Sequence, residues 1–249
     1  MIAPVWSRRS MMESCRADHE LMDIEIDALF THTSAGRIIA DNEPGGEPAP
    51  RFFFARTRDA TCWRVRHDVS EGIARKLEVL AMAETVRADL EALPVHLDAM
   101  LEVLRPAGEP TIGHCGPTYR FPDKIRVPTN VTRITRANLH LLRSIVPDMD
   151  DLTREFERGE PSTAMVVDGV AVATCWSSRL TNRAAEAGVV TLDAYRGRGY
   201  ASAVTAAWAR AVRGGGRIPF YSTSWDNLAS QAVARKLGLI HYGATVNLE

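Results

Sequence analysis

The pattern of apolar and polar residues predicts alternating helices and strands in the first half of the chain. Apolar residues at helical spacing predict helices over residues 20–30, 70–86 and 96–104. Runs rich in aromatic and β-branched residues predict strands over 37–40, 51–55 and 61–65. The polar residues 56–59 lie between the last two strands and predict a hairpin. This half is therefore expected to be α+β.

The second half shows a longer series of elements in the order β-α-α-β-β-β-α-β-α-β. Predicted strands cover 125–134, 164–167, 170–176, 187–192, 218–222 and 240–248, and predicted helices cover 137–145, 149–157, 199–212 and 227–237. Asp168-Gly169 joins two apolar runs, which is a strong hairpin signal because both turn positions need positive φ. Glycines 214–216 and Gly238 are predicted to end two of the helices.

Residues 106–128 contain five prolines and three glycines, which predicts a domain boundary or a long structured loop. Proline fixes φ and removes an amide donor, so neither a long helix nor a central strand is expected there. We place the boundary near residue 122. This gives an N-terminal α+β domain over 1–121 and a second domain over 122–249.

Composition narrows the class of protein. The 249 residues include 30 basic and 31 acidic side chains, so phosphate-driven binding of nucleic acid is not expected. No stretch approaches the roughly 18–20 apolar residues of a membrane helix, and residues 1–20 lack the features of a signal peptide. The four cysteines are widely spaced, which favours free thiols over a disulfide framework or a zinc site. We expect a cytoplasmic protein without a metal, a membrane partner or a nucleic-acid partner.

The segment that carries chemistry is 188–202, where a β-rich stretch leads through Arg196-Gly197-Arg198-Gly199-Tyr200-Ala201 into a helix. Unpaired amides and the helix dipole at such a start attract an anion, above all a phosphate. Two glycines let the backbone approach that anion closely, and two arginines add positive charge. The segment predicts a cofactor with a diphosphate. The Rossmann and P-loop signatures are absent, while an RNA-binding tract or a plain helix start remain alternatives.

The pattern Arg-x-x-Gly-x-Ala at 196–201 resembles the acetyl-CoA pyrophosphate motif of the GNAT superfamily of N-acetyltransferases. A second block at 224–239, in which Asn227 opens a helix that ends at Gly238, resembles that superfamily's next conserved segment. The resemblance covers residues 124–249 and includes the order of elements. Residues 216–239 are also similar to a bacterial subgroup that includes zwittermicin-resistance-type acetyltransferases. The resemblance implies an α/β (α+β) fold with a mixed sheet flanked by helices, and acetyl-CoA as co-substrate.

The resemblance also implies roles for particular residues. One strand amide would polarise the thioester carbonyl, the loop amides would wrap the pyrophosphate, Arg196 would brace that loop, and Asn227 would bind the pantetheine or simply cap its helix. The strand residues are Val189, Val190 and Thr191, and the loop residues are Gly197, Arg198, Gly199, Tyr200, Ala201 and Ser202.

The catalytic residues are less well defined. Many GNAT enzymes place a tyrosine acid seven residues after the asparagine, but that position is Ala234. Tyr221 is the candidate replacement, and Tyr242 and His241 lie in the same flanking strands. The alternatives are that these are plain strand residues and that the thiolate leaves without an acid. Glu186 is the candidate base, although strand alternation places it one residue from the expected position, which a β-bulge would correct. A solvated strand-end carboxylate, or ordered water passing the proton, are the alternatives.

The resemblance therefore predicts transfer of acetyl from acetyl-CoA to a primary amine of a small molecule, such as an antibiotic-like amine or an amino acid. Direct attack in a ternary complex is expected, by a monomer or homodimer whose N-terminal domain shapes the acceptor site. Asp148, Asp150 and Asp151 are expected to form a solvated face or a helix start. The resemblance implies that this helix pair, 137–145 and 149–157, rims the acceptor site, so attraction for a cationic amine is the alternative. The alternatives are a protein or peptide N-acetyltransferase and a non-catalytic acyl-CoA-binding module.

Overall fold

A computed structural model of the protein describes residues 17–43, 45–87, 89–146, 153, 156 and 161–249. Five α-helices in these residues are α1 (Asp18–Leu29), α2 (Glu71–Ala83), α3 (Leu97–Leu104), α4 (Tyr200–Gly214) and α5 (Leu228–Leu237). Shorter 3₁₀ segments cover Arg105–Ala107, Arg136–Ser144 and Asp193–Tyr195. Each helix in the described ranges is too short or too polar to cross a membrane.

Within the described residues, eleven strands form two sheets. They are β1 (Phe30–His32), β2 (Ile38–Asp41), β3 (Phe52–Thr57), β4 (Thr61–Val65), β5 (Ile112–Arg120), β6 (Thr132–Ile134), β7 (Ser162–Val167), β8 (Val170–Leu180), β9 (Ala184–Thr191), β10 (Ile218–Ser222) and β11 (Ile240–Leu248). The first two pair with each other, and the other nine form one sheet in the order β4-β3-β11-β5-β10-β9-β8-β7-β6. Only β9 and β10 are parallel neighbours. The predicted α/β fold with a mixed sheet flanked by helices is confirmed.

The large sheet draws strands from both sides of the predicted boundary. The last strand, β11, lies between β3 and β5, and β5 lies between β11 and β10. The boundary at 121/122 falls just after β5. A functional division into domains 1–121 and 122–249 stays a prediction, while the sheet itself is continuous.

The expectation of no central strand over 106–128 is wrong, because β5 occupies the middle of the sheet. The reason lies at Pro117, whose carbonyl accepts a hydrogen bond from Thr223 N at 3.2 Å. The N and O atoms of one strand residue point to the same side, so the missing proline donor faces the β10 side. On that side β10 has already ended at Ser222. The proline therefore removes no hydrogen bond from the regular ladder.

Helices cover both faces of the sheet. Helix α1 packs on one face, with Ala184, Phe220 and Tyr242 in its cluster. Helices α4 and α5 pack on the opposite face, where Ala185 and Tyr221 contact the side chains around Trp208. Helices α2 and α3 cover β3 and β11 through a separate cluster that includes Phe52 and Phe54. Neighbouring residues of one strand thus point into different cores, as strand geometry requires.

Most other local predictions are confirmed, with differences at the ends of elements. Asp168 and Gly169 have φ of 50° and 79°, as the predicted hairpin turn needs. The predicted strand 125–134 shortens to β6, and the predicted helix 137–145 is a 3₁₀ segment. The expected strand 187–192 begins earlier, at Ala184. The predicted helix 149–157, apart from residues 153 and 156, lies outside the described residues, as do Asp148, Asp150 and Asp151.

The shared sheet predicts that packing in the N-terminal half stabilises the whole fold. We expect Leu77→Ala, at a fully buried position of α2, to lower the free energy of unfolding by about 2–5 kcal/mol. Val79→Ala on the same helix is the matched control, because Val79 is 60% exposed and its loss should cost less than about 0.5 kcal/mol. Urea denaturation followed by circular dichroism measures the free energy of unfolding of both variants. Equal losses in the two variants would show that the buried contacts of α2 do not stabilise the fold.

Candidate functional site

A cleft opens where the two parallel strands separate. Strands β9 and β10 pair only through Ala184–Glu186 with Ile218–Phe220. Beyond that point the chain after β10 turns to β5, and Trp225 N donates to Cys115 O at 3.1 Å. The space between has a volume of about 930 Å³. Residues on its walls include His114, Val189, Val190, Thr191, Arg196, Gly197, Gly199, Tyr200, Ala201, Ser202, Tyr221, Ser222, Asn227 and Lys236.

Strand β9 presents unpaired backbone groups to this cleft. Leu192 N donates to Val172 O of the neighbouring strand β8 at 3.0 Å. Because backbone groups alternate between the two sides of a strand, the amide of Val190 also faces β8, while those of Val189 and Thr191 face the cleft. Of the three predicted strand residues, two therefore present N–H groups where a ligand carbonyl could accept them.

The loop before α4 forms the other end of the cleft. Gly197 and Gly199 have φ of 77° and 80°, a conformation that side-chain-bearing residues rarely adopt. The first intrahelical hydrogen bond runs from Ala203 N to Gly199 O, so the amides of the first helical turn have no intrahelical acceptor. These amides belong to Tyr200, Ala201 and Ser202, which all line the cleft. The geometry suits an anion.

The side chains of the two loop arginines make different contacts. Arg196 lines the cleft and pairs with Asp193 at 2.9 Å. The Arg198 guanidinium instead lies 5.1 Å from the centre of the Tyr195 ring and donates to Ala194 O at 3.3 Å. The side chain of Arg198 is therefore engaged with its own loop, and it is not among the residues on the cleft wall.

Lys236 is a cleft residue that sequence reasoning missed. A Cβ atom added to Gly199 would lie 2.5 Å from the Lys236 Nζ atom, so this ammonium stands directly over the loop. Its charge adds to that of the helix start. The sequence carries no signal that singles out Lys236 from its neighbour Arg235, because basic residues are common in the last turn of any helix.

Asn227 occupies the predicted start of α5. Its Oδ1 atom accepts a hydrogen bond from Ser230 N at 3.0 Å, which is a regular N-cap. The same residue also lines the cleft. The cap is confirmed, and contact with a cofactor stays a prediction.

Tyr221 projects from β10 to the helix that carries Ala234. Its hydroxyl lies 2.6 Å from Ser230 Oγ, and Ser230 is one turn before Ala234 on α5. Tyr221 lines the cleft although only 3% of it is exposed. Burial raises the pKa of Tyr221 to about 12, so the phenol is neutral at physiological pH. The structure thus brings a tyrosine hydroxyl to the helix that lacks the usual tyrosine.

Glu186 is the last residue of β9 that pairs with β10. Its side chain lies on the face of the sheet that α1 covers. The carboxylate Oε1 accepts hydrogen bonds from Ser222 N at 2.7 Å and Ser222 Oγ at 2.8 Å. The Oε2 atom is buried and has no hydrogen-bond partner among the described residues. Burial raises the pKa of Glu186 to about 7. The alternative of a solvated carboxylate is wrong, because only 3% of the residue is exposed.

A β-bulge lies opposite Glu186, but it is in the partner strand β8, so it does not change the face of β9 on which Glu186 lies. Ser177 pairs with Ala187 and Arg179 pairs with Glu186, so Ser178 of β8 is the extra residue. The bulge lies directly opposite the candidate base. Glu186 and Tyr221 thus lie on opposite faces of the sheet, on either side of the point where β9 and β10 separate.

His114 is a second residue that sequence reasoning missed. It projects from β5 into the cleft, and burial lowers the pKa of its imidazole, as does the nearby Arg179. The ring is therefore neutral at physiological pH. Within the described ranges, no group of three His, Cys, Asp or Glu side chains is arranged to hold a metal. Only the pairing of β5 brings His114 here, so the sequence carried no signal for it.

Cys175 is fully buried on β8, and burial raises the pKa of its thiol well above the usual value. This agrees with a strand-core thiol rather than a nucleophile. Trp225 packs edge-on against His241 with ring centres 5.9 Å apart, and neither residue is on the cleft wall.

Residues 153–245 match the family model described as GNAT acetyltransferase. This part of the chain is therefore similar to GNAT acetyltransferases. Such enzymes use acetyl-CoA, so the domain is an acyltransferase with acetyl-CoA as co-substrate. The matched residues include the separating strands, the glycine loop and both helices α4 and α5. No curated protein matches the chain, and similarity to the zwittermicin-resistance subgroup stays a prediction.

Solved structures resemble the chain at low sequence identity. A GNAT-family acetyltransferase from Colwellia psychrerythraea is 13% identical, with 76% of each chain covered and a TM-score of 0.48. A GCN5-related N-acetyltransferase-like protein from Streptococcus suis is 16% identical, with 81% of this chain and 85% of that chain covered and a TM-score of 0.46. A GNAT-family protein from Novosphingobium aromaticivorans is 16% identical, with 56% and 66% covered and a TM-score of 0.44. The similarity to GNAT acetyltransferases therefore rests on residues 153–245.

The raised pKa of Glu186 makes stability depend on pH. Its pKa rises from 4.5 when unfolded to about 7 when folded, so its stabilising effect is complete below about pH 4.5 and is lost as pH rises through 7. We expect Glu186→Gln to reduce the fall in unfolding free energy between about pH 5 and 8, by on the order of 3 kcal/mol. Urea denaturation at several pH values measures this. Glu47→Gln, at an exposed position, is the control, and parallel curves for wild type and Glu186→Gln would contradict the prediction.

Proposed function

We propose that the protein transfers an acetyl group from acetyl-CoA to a primary amine of a small molecule, by direct attack in a ternary complex. The observation that carries the proposal is the cleft between β9 and β10. A loop suited to an anion lines one end of this cleft. Glu186, a buried carboxylate with one unpartnered oxygen among the described residues, is not itself on the cleft wall, but it lies where the strands separate, next to the wall residues Ala187 and Ser222.

The residues present fit acetyl-CoA. The amides of Gly197 to Ser202 and the Lys236 ammonium would hold the pyrophosphate. The cleft-facing amides of Val189 and Thr191 would hold the pantetheine arm and polarise the thioester carbonyl. Acetyl-CoA supplies a thioester whose carbonyl carbon is open to attack by an amine. Arg196 would brace the loop, and Asn227 would join its capping role to contact with the arm.

Glu186 would accept a proton from the acceptor, because a protonated amine cannot attack a carbonyl. Its unpartnered oxygen is the atom available for that proton. A pKa of about 7 allows the carboxylate to be ionised near neutral pH and still hold a proton well. The burial that raises this pKa also strengthens attraction for a cationic amine.

Tyr221 would serve the leaving group. Its neutral hydroxyl can donate a hydrogen bond to the departing sulfur. The new N–C bond forms as the C–S bond breaks. One ammonium proton goes to Glu186, and the second nitrogen proton ends on sulfur, which gives amide and CoA thiol.

A small acceptor is favoured because residues outside the family match close the site. His114 of β5 is part of the cleft wall, and α1 covers the face that holds Glu186. Region 1–121 would thereby shape the acceptor pocket. An antibiotic-like amine and an amino acid are the candidate classes. A cytoplasmic location and a monomeric or homodimeric state complete the proposal, with Cys62, Cys115 and Cys175 as free thiols.

Acetyl-CoA binding should depend on the loop before α4. Gly199→Glu places a carboxylate where the pyrophosphate would lie, so we expect affinity to fall at least about tenfold to a hundredfold. Gly214→Glu at the other end of the same helix is the matched control, since a side chain there meets open space. Isothermal titration calorimetry with folded protein measures both. Unchanged affinity in Gly199→Glu would place the cofactor elsewhere.

Acetyl transfer should depend on the Tyr221 hydroxyl. Tyr221→Phe keeps the ring in its core and removes the donor, so we expect kcat to fall roughly 10²-fold with little change in the KM for acetyl-CoA. Release of the CoA thiol measures this, with amino acids, alkylamines and antibiotic amines as acceptors. Tyr119→Phe is the control, since its ring lies 6.4 Å from that of Tyr221 but off the cleft wall. Binding of acetyl-CoA without transfer to any amine would favour an acyl-CoA-binding module, and transfer to peptides alone would favour a protein acetyltransferase.

A further inference from the structure

A second carboxyl group is buried near the candidate base. Glu25 belongs to α1, outside the family match, and none of its surface is exposed. The Thr118 hydroxyl donates to its Oε1 atom at 2.5 Å, and the Tyr242 hydroxyl donates to its Oε2 atom. The neighbouring α1 residues Leu21, Met22 and Ile26 are apolar and buried. A carboxyl group in such a core needs these hydrogen bonds, which hold it in one place.

The strand register puts Glu25 next to Glu186. Thr118 of β5 and Ser222 of β10 are direct partners across the two strands. Thr118 binds Glu25, and Ser222 binds Glu186 through its amide and its hydroxyl. Side chains of direct partners lie on the same face and about 4.5–5.5 Å apart at Cβ. The two carboxyl groups are therefore held by adjacent hydroxyls on the α1 face.

The surroundings contain too little positive charge for both groups to ionise easily. Cys175 of β8 and Tyr221 of β10 lie on the opposite face of the sheet. Among the described residues, the charged or titratable side chains that face the pair are Arg179 of β8 and Tyr242 of β11. Arg179 is the one cation among them, and it already pairs with Asp41 at 2.7 Å and Glu43 at 3.4 Å. Burial raises the pKa of Glu186 to about 7 and that of Glu25 to about 8, and the Glu186 charge contributes to the second shift.

We propose that Glu25 is a positioning residue of this site, which shares one proton with Glu186 and thereby sets the pH at which Glu186 can accept a proton from the acceptor. The inference rests on the proposed function. Glu25 acts through Glu186 and does not touch the substrate. Two buried carboxyl groups this close titrate as one unit, so a charge on either makes the other hold its proton more tightly.

The first test is the pH profile of kcat/KM. Glu25→Gln keeps the size of the side chain and an oxygen for the Thr118 hydroxyl, but it removes the second charge. Glu186 should then ionise more easily, and the acid limb of the profile should move to lower pH by no more than about half a unit, because the two groups titrate only about one unit apart. Tyr242→Phe removes one donor to Glu25 and should move the limb in the same direction by less.

The matched control lies on the same helix. Asp27→Asn makes the same carboxylate-to-amide change at a half-exposed side chain that pairs with Arg183 at 3.8 Å. It should leave the acid limb in place. A purely structural role for Glu25 would lower activity at every pH without moving the limb.

A second test needs no activity. Unfolding free energy is measured at low and high pH for wild type, Glu25→Gln, Glu186→Gln and the double variant. If the groups share a proton, the losses of pH dependence in the two single variants sum to more than the loss in the double variant. If the two groups titrate independently, the losses of pH dependence in the two single variants sum to the loss in the double variant.

The outcomes separate this inference from the proposed function. An active Glu25→Gln enzyme with an unmoved acid limb overturns the inference, and so does an additive stability cycle. A moved limb together with a non-additive cycle supports it. If wild-type protein acetylates no amine, the proposed function fails, and the stability cycle alone decides whether the pair shares its proton.

Discussion

The site depends on the point at which two parallel strands stop pairing. Strands β9 and β10 form three residue pairs and then diverge, which leaves the edge of β9 beyond Glu186 without a strand partner in the part of the chain that the structure describes. The chain after β10 is drawn to β5 instead, and this is possible because position 116 is glycine. A Cβ atom there would lie 1.9 Å from Thr223 O. The cleft, its open backbone amides and the placement of the candidate base all follow from this divergence.

The divergence also separates the chemistry between two faces of the sheet. Residues next to each other on a strand point to opposite faces, so Tyr221 belongs to the α4 and α5 side and Glu186 to the α1 side. In the proposed reaction, a thioester held between the strands would lie between these two faces. The leaving sulfur and the attacking amine can therefore be served by different groups without crowding. The α1 side is built largely by residues that precede the matched residues 153–245.

Burial provides the electrostatic character of each group. The same loss of water that keeps the Tyr221 phenol neutral raises the pKa of Glu186 toward neutrality. The loop before α4 has a positive potential instead, because its open amides and the Lys236 ammonium can attract an anion. One end of the cleft thus suits a phosphate and the other a cationic amine.

The sequence by itself determined the features that depend on local geometry. The glycine loop, the start of α4, the Asn227 cap and the Asp168-Gly169 turn each need a φ value or a side-chain acceptor that only certain residues supply. These signals also carried the family resemblance and the cofactor. Tertiary structure alone decided the rest. Strand β5 lies in a proline-rich segment whose proline is harmless only because β10 ends beside it. His114, Glu25 and Lys236 reach the site from elements distant in sequence, and pairing between distant strands and helices leaves no periodic trace in the chain.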